Sequence, residues 1–334
     1  MTSMGTIQTT RALRTTGLLG LLMVMVLAGC QTPQRRDRGT AEERALLERG
    51  EQYTQQGLLD SAMAAFDMVL ETNPRAVDAH VGVGDIYEIR GDYAAAAEKY
   101  KTAKQLAPGT FKPTYKLGLM YHLLNKVREA VTEYLAALTI QPDSFEANLN
   151  LATAYLQLGQ AELGLPYAEK AVKLKGDSQA AHVNLGSIYA SMGQYDLAID
   201  EYRGAAELGD LQPPILLNMV ESLLKTGKYQ RAMNVLEQLE ATPTDVIYER
   251  MGYALFKLGE YEKSLGKYRL ALRINPDDTA SLNGLGVDLM TLYLKGRREN
   301  IALRDEAIDA WQKSVKADSS QQRIVDLIAR YRKL

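Results

Sequence analysis

The chain has 334 residues, 46% of them hydrophobic and 24% charged, with a formal net charge of -2. That balance excludes a disordered polyelectrolyte and a basic nucleic-acid binder. With 26 glycines and 10 prolines there are few breaks for an all-β chain, and the single cysteine, Cys30, excludes an intrachain disulfide and a cysteine-based metal cluster.

Residues 1–29 carry Arg11 and Arg14, no acid, and then an apolar run from Gly17 to Ala28. As a helix these twelve residues would rise about 18 Å, short of the roughly 30 Å hydrocarbon core, so the segment reads as a secretory signal rather than a spanning helix. It ends in Leu27-Ala28-Gly29-Cys30, which resembles the lipobox of bacterial lipoproteins. That resemblance implies cleavage before Cys30, acylation of its thiol and anchoring to a lipid bilayer, since two or three acyl chains hold where one does not. Residues 30–42 then form a tether containing Arg35, Arg36 and Arg38 against Asp37. Gln31 after the cysteine resembles the outer-membrane sorting choice, which places the chain in a bacterial cell envelope, facing the periplasm.

From residue 43 to about 318 the sequence repeats itself with a period of 34. One column reads Gly50, Gly84, Gly118, Ala152, Gly186, Val220, Gly252 and Gly286, with a single step of 32 before Gly252. Three residues later stand Tyr53, Tyr87, Tyr121, Tyr155, Tyr189, Leu223, Leu255 and Leu289. Further columns hold a turn glycine (Gly57, Gly91, Gly159, Gly193, Gly227, Gly259), a small residue (Ala62, Ala96, Ala130, Gly164, Ala198, Ala232, Ser264, Ala307) and an aromatic or apolar one (Phe66, Tyr100, Tyr134, Tyr202, Leu236, Tyr268, Trp311). Pro74, Pro108, Pro142 and Pro276 close units. Each unit predicts two amphipathic helices joined by a short turn, with small residues where backbones approach closely and aromatics in the wider gaps.

This pattern resembles the tetratricopeptide repeat. The resemblance implies an all-α, right-handed superhelical solenoid of eight helix-turn-helix units starting at Glu43, Val77, Phe111, Phe145, Gln179, Pro213, Asp245 and Thr279. The fourth unit is degenerate in its second helix, at Pro166 and Ala168, and the sixth is two residues short. In the eighth, nine extra residues between Gly286 and Ala307 predict an enlarged loop around Lys295 to Asn300. Residues 319–334 predict a capping helix, with Ile324, Leu327, Ile328 and Tyr331 on one face, closing an otherwise open apolar end. The solenoid is polar along its length: residues 41–76 sum to -4 and residues 293–334 to +4.

Chemistry is scarce. His80 and His182 lie three repeats apart at one packing site, and no serine occupies a G-x-S-x-G elbow. Gly82-Val83-Gly84 is followed by Tyr87, so it is no dinucleotide loop. No cofactor and no nucleic acid are expected. The family resemblance implies a concave groove lined by the first helix of each unit and a protein or extended peptide as partner. One column facing that groove reads Lys116, Asn150, Asn184, Asn218 and Arg250, three carboxamides in register with a cation at each end. A carboxamide both donates and accepts, so such a row can grip a peptide backbone, or it can instead satisfy the neighbouring unit. The resulting reading is a non-enzymatic, membrane-anchored adaptor like the repeat lipoproteins that serve pilus, envelope or cell-wall assembly. Two alternatives stay open: an enzyme using Glu88 or Asp85 on a glycan or peptide held in the groove, and a self-assembling scaffold driven by the charge polarity.

Overall fold

The structure, a computed structural model, describes residues 40–332, and every described element is helical. Eight helical hairpins follow one another: α1 (Ala41–Gln55) with α2 (Leu59–Thr72), α3 (Val77–Ile89) with α4 (Tyr93–Leu106), α5 (Phe111–Leu123) with α6 (Val127–Ile140), and α7 (Phe145–Gln157) with α8 (Ala161–Leu174). The series continues with α9 (Gln179–Ser191) and α10 (Tyr195–Leu208), α11 (Pro213–Lys225) and α12 (Tyr229–Gln238), α13 (Asp245–Leu258) and α14 (Tyr261–Ile274), α15 (Thr279–Lys295) and α16 (Ile301–Ala317). A last helix, α17 (Gln322–Tyr331), packs on α16.

Local sequence sets these boundaries. Ser144, Ser178, Thr244 and Asp278 cap the first helices of four units by accepting the N–H three residues on, which satisfies a donor that has no intrahelical partner. Within the hairpins, Gly57, Gly91, Gly159, Gly193, Gly227 and Gly259 take φ between 68° and 84°. A Cβ is disfavoured in that left-handed region. The third unit places Asn125 there at φ 58°.

Packing repeats with the sequence. In six units an aromatic of the second helix lies against the glycine of the first helix: a Cβ on Gly84, Gly118 or Gly186 would meet Tyr100, Tyr134 or Tyr202 within 2.8 to 2.9 Å. These three rings are fully buried. The fourth unit lacks the aromatic, and its helices close up instead through Gly164, whose added Cβ would lie 3.2 Å from the Ala152 carbonyl. Its second helix nevertheless runs unbroken for 14 residues with Pro166 inside it.

The eighth unit departs from its sequence-based expectation. Only two of the nine extra residues enlarge the loop, which runs Gly296–Asn300 where the fifth unit has Met192–Gln194; the other seven extend α15 and α16 to 17 residues each, against 13 and 14 in the fifth unit. The physical reason lies in the inserted residues, since Leu292, Tyr293 and Leu303 pack into the same apolar cluster as Trp311 and carry the helices onward.

α17 covers that cluster with Ile328 buried and Ile324, Leu327 and Tyr331 half-buried, so the apolar end is closed by a helix whose other face is solvated. Among the described residues no helix is long and apolar enough to cross a membrane.

Candidate peptide-binding groove

Successive first helices touch one another, α1 with α3, α5 with α7, α7 with α9, α9 with α11 and α13 with α15, whereas no comparable contact joins successive second helices. The first helices therefore form the inner, concave wall. The five residues of the row lie on it, and most of them reach back across the wall to the preceding unit. Lys116 Nζ lies 2.9 Å from Glu88. Asn150 Nδ2 donates to the Tyr115 hydroxyl at 2.9 Å, and Asn184 Nδ2 donates to Thr153 Oγ1 at 2.7 Å. Arg250 pairs with Glu221 at 2.5 Å. Asn218 differs: it is exposed, and its side chain forms no hydrogen bond among the described residues.

The row is thus a seam as well as a surface. Its amide donors join side chains of the neighbouring unit, not backbone, which leaves the carboxamide oxygens over; that of Asn184 is buried without a partner. Tyr115 accepts through its phenol oxygen and stays neutral: burial first, then the charges of Glu146 and Glu88, push its pKa up to about 12. A half-buried aliphatic residue precedes each amide, namely Leu149, Val183 and Leu217. The middle of the groove thereby offers an apolar stripe beside an amide stripe. At the far end burial pushes the Glu249 carboxyl up, opposed by the adjacent Arg250.

Both ends of the row are marked by glycine. A Cβ on Gly82 would collide with the Phe66 ring at 2.5 Å, and one on Gly284 with the Tyr268 ring at 2.3 Å. The notch at Gly82 opens into a cavity of about 580 Å³ lined by Glu51, Asp78, Val81, Asp85, Phe111 and Lys112, among others. Beside Asp85 the fully buried Tyr100 directs its hydroxyl at Asp85 (2.6 Å) and Glu88 (2.7 Å). The same two carboxylates bind Lys112 and Lys116 at 2.9 Å. Burial, reinforced by both acids, drives the Tyr100 pKa far up. Sequence reasoning missed this network. Only the identical spacing from Gly84 to Tyr100 and from Gly118 to Tyr134 hinted that the tyrosine hydroxyls reach the inner wall.

Glu88 and Asp85, the carboxylates of the enzymatic alternative, are therefore held by a phenol and two ammonium groups instead of standing free as an acid and base pair. His80 and His182 each set Nε2 3.0 Å from the carbonyl six residues earlier, Pro74 and Gly176. Asn148 makes the same link to Pro142 at 3.1 Å, so this site ties α3, α7 and α9 to the turns before them. His182 also meets Glu201 at 2.7 Å; burial disfavours its charge, but Glu201 and the Gly176 carbonyl outweigh it and raise the pKa. Among the described residues no group of three or more His, Cys, Asp or Glu could hold a metal ion. Cys30 lies outside the described residues.

Known proteins agree with this architecture. Tetratricopeptide-repeat family models match residues 47–110, 118–159, 149–213 and 246–278, together more than half of the chain. A tetratricopeptide repeat protein from Parabacteroides merdae ATCC 43184 superposes with a TM-score of 0.52 at 17% identity, over 75% of this chain and 100% of that one. Pseudomonas aeruginosa pilF superposes with a TM-score of 0.52 at 20% identity, over 60% of this chain and 91% of its own. No curated protein sequence matches the chain. At these identities the likeness is one of fold. The repeat spacing, the helical hairpins stacked through glycine and aromatic columns, and the matching family models make the chain a member of the tetratricopeptide-repeat proteins.

Proposed function

We propose that this chain is a non-enzymatic adaptor that holds an extended segment of a partner protein along its inner wall, across Lys116, Asn150, Asn184, Asn218 and Arg250. The observation that carries this reading is Asn218, an exposed amide without a partner, in register with two amides on successive helices and beside the aliphatic stripe of Leu149, Val183 and Leu217. A segment extended in the polyproline II conformation rises about 3.1 Å per residue with about three residues per turn, and neighbouring helices lie about 10 Å apart, so three peptide residues span one unit and the same backbone group can meet each amide in turn.

The mixed role of the row makes the test sharper. Asn150 and Asn184 each make one hydrogen bond between units, so their alanine variants should lose about 1 kcal/mol of stability each, and partner affinity as well. Asn218→Ala breaks no bond in the free protein. It should leave the melting temperature unchanged and weaken the partner about fivefold, measured by calorimetry with a partner captured from envelope extracts. Unchanged affinity in Asn218→Ala, with destabilisation confined to the other two variants, would make the row purely structural.

The same proposal places the adaptor on a bacterial envelope membrane facing the periplasm, anchored through acylated Cys30. What supports it is the sequence alone: the apolar run ending at Ala28, the small Ala28 and Gly29, and the only thiol of the chain directly after them. Cys30→Ser should move the protein from the membrane fraction to the soluble fraction or leave it uncleaved, and metabolic labelling with an acyl chain should vanish. Acyl incorporation that survives Cys30→Ser would refute the anchor.

A further inference from the structure

The hairpin of the eighth unit has an apex unlike any other in the chain. Because α15 and α16 are 17 residues long, against 13 and 14 in a regular unit, the apex projects about 6 Å past the row of other hairpin turns. In six units the left-handed position of that turn is glycine, and in one it is asparagine. In the eighth unit the chain instead puts two consecutive arginines there, Arg297 at φ 54° and Arg298 at φ 65°. Glycine closes such a turn without the steric conflict that an L side chain meets. Strained residues of this kind persist where their side chains serve something other than the fold.

The surroundings indicate what that is. Lys295, Arg297 and Arg298 form no ion pair among the described residues, and between Leu294 and Ile301 the sequence holds one acid, Glu299, against these three cations. Lys295 Nζ lies 4.2 Å from the centroid of the Tyr261 ring at the start of α14, so it flanks the apex on the side of the preceding unit. On either side of the arginines stand two aliphatic side chains in solvent, Leu294 at 38% and Ile301 at 54% exposure. The apex is therefore convex, with apolar side chains among cations.

We infer that the apex is a contact site for an anionic phospholipid surface, with Lys295, Arg297 and Arg298 against headgroup phosphates and Leu294 and Ile301 entering between them. A projecting apex without a pocket matches a deformable plane better than a folded acidic partner. Cations surrounding aliphatic groups are the pattern by which interfacial elements bind charged bilayers. The inference does not rest on the acylation of Cys30, which concerns the opposite end of the chain. It would give the solenoid a second membrane contact and so set the orientation of its groove.

The test uses the full chain carrying Cys30→Ser and Asn300→Cys, with an environment-sensitive fluorophore on the new thiol. The native Asn300 side chain makes no capping hydrogen bond. Phosphatidylglycerol vesicles should shift the emission to the blue, phosphatidylcholine vesicles should not, and roughly 0.5 M salt should reverse the shift. Adding Arg297→Gly and Arg298→Asn should raise the lipid concentration needed for half the shift about 30-fold, while the melting temperature stays or rises because the turn is relieved. The inference is overturned by no shift with the anionic vesicles, an equal shift with zwitterionic vesicles, a shift retained by the double arginine variant, or a lower melting temperature in that variant. A shift without vesicles that grows with protein concentration would assign the apex to the acidic first unit of a second copy instead.

Discussion

Replacing Trp311 with alanine is expected to cost about 3 to 5 kcal/mol and to unfold the carboxyl-terminal end of the solenoid first. Trp311 is the largest fully buried side chain, 1% exposed. Its ring fills the space left by Gly286, where an added Cβ would come within 2.3 Å of the indole nitrogen. It also donates to the Asn283 carbonyl at 3.3 Å and lies against Tyr331 of α17 with ring centroids 6.1 Å apart. Removing it opens a cavity that α15, α16 and α17 share, and the rigid glycine wall cannot collapse into it. In a stack of nearest-neighbour units the damage stays local. Hydrogen exchange should show lost protection in α15 to α17 and native protection in α1 to α10, and Trp311→Phe should recover most of the loss. Uniform loss of all helix signal at one lower temperature would argue for a single cooperative core.

Asp288 yields the second large effect. It sits on α15 with no exposure, and neither carboxylate oxygen has a hydrogen-bond partner. Ser264 stands beside it but donates its proton to the Gly252 carbonyl at 2.7 Å. Burial raises the Asp288 pKa to about 7, with Glu262 adding repulsion. The unfolded value is 3.8, so below it both states hold the proton and nothing is lost. Between about pH 4 and 7 the unfolded chain ionises while the folded chain does not, and stability falls; above 7 the penalty is constant. Three units at about 1.4 kcal/mol each predict that Asp288→Asn gains roughly 4 kcal/mol at pH 8 relative to its effect at pH 4. Urea denaturation at the two pH values measures the difference. An effect independent of pH would mean that Asp288 finds a compensating partner.

The hairpin architecture was legible in the sequence because a repeat protein states its packing rule many times over. The column from Gly50 to Gly286 and the aromatics opposite it prescribe close approach and its filling, and each unit contacts mainly its neighbours, so a local pattern is nearly the whole fold. The helices α3, α5, α7, α9, α11, α13 and α15 begin at Val77, Phe111, Phe145, Gln179, Pro213, Asp245 and Thr279. The row of groove amides was legible for the same reason, since a 34-residue spacing puts side chains at equivalent points of successive helices.

Partnership between units was not legible. Whether Asn150 met backbone, a tyrosine or solvent depended on the angle between stacked hairpins, and only the tertiary structure paired it with Tyr115, paired Asn184 with Thr153 and left Asn218 free. The same holds for Tyr100, whose phenol crosses from a second helix to the carboxylates of the inner wall. An insertion has no column to be read against, so the nine residues of the eighth unit looked like a loop until the apolar contacts of Leu292, Tyr293 and Leu303 extended both helices. Periodicity determines which residues share a face. Which of them meet, which stay free and which backbone is strained is decided by the distances between units, and those exist only once the solenoid is stacked.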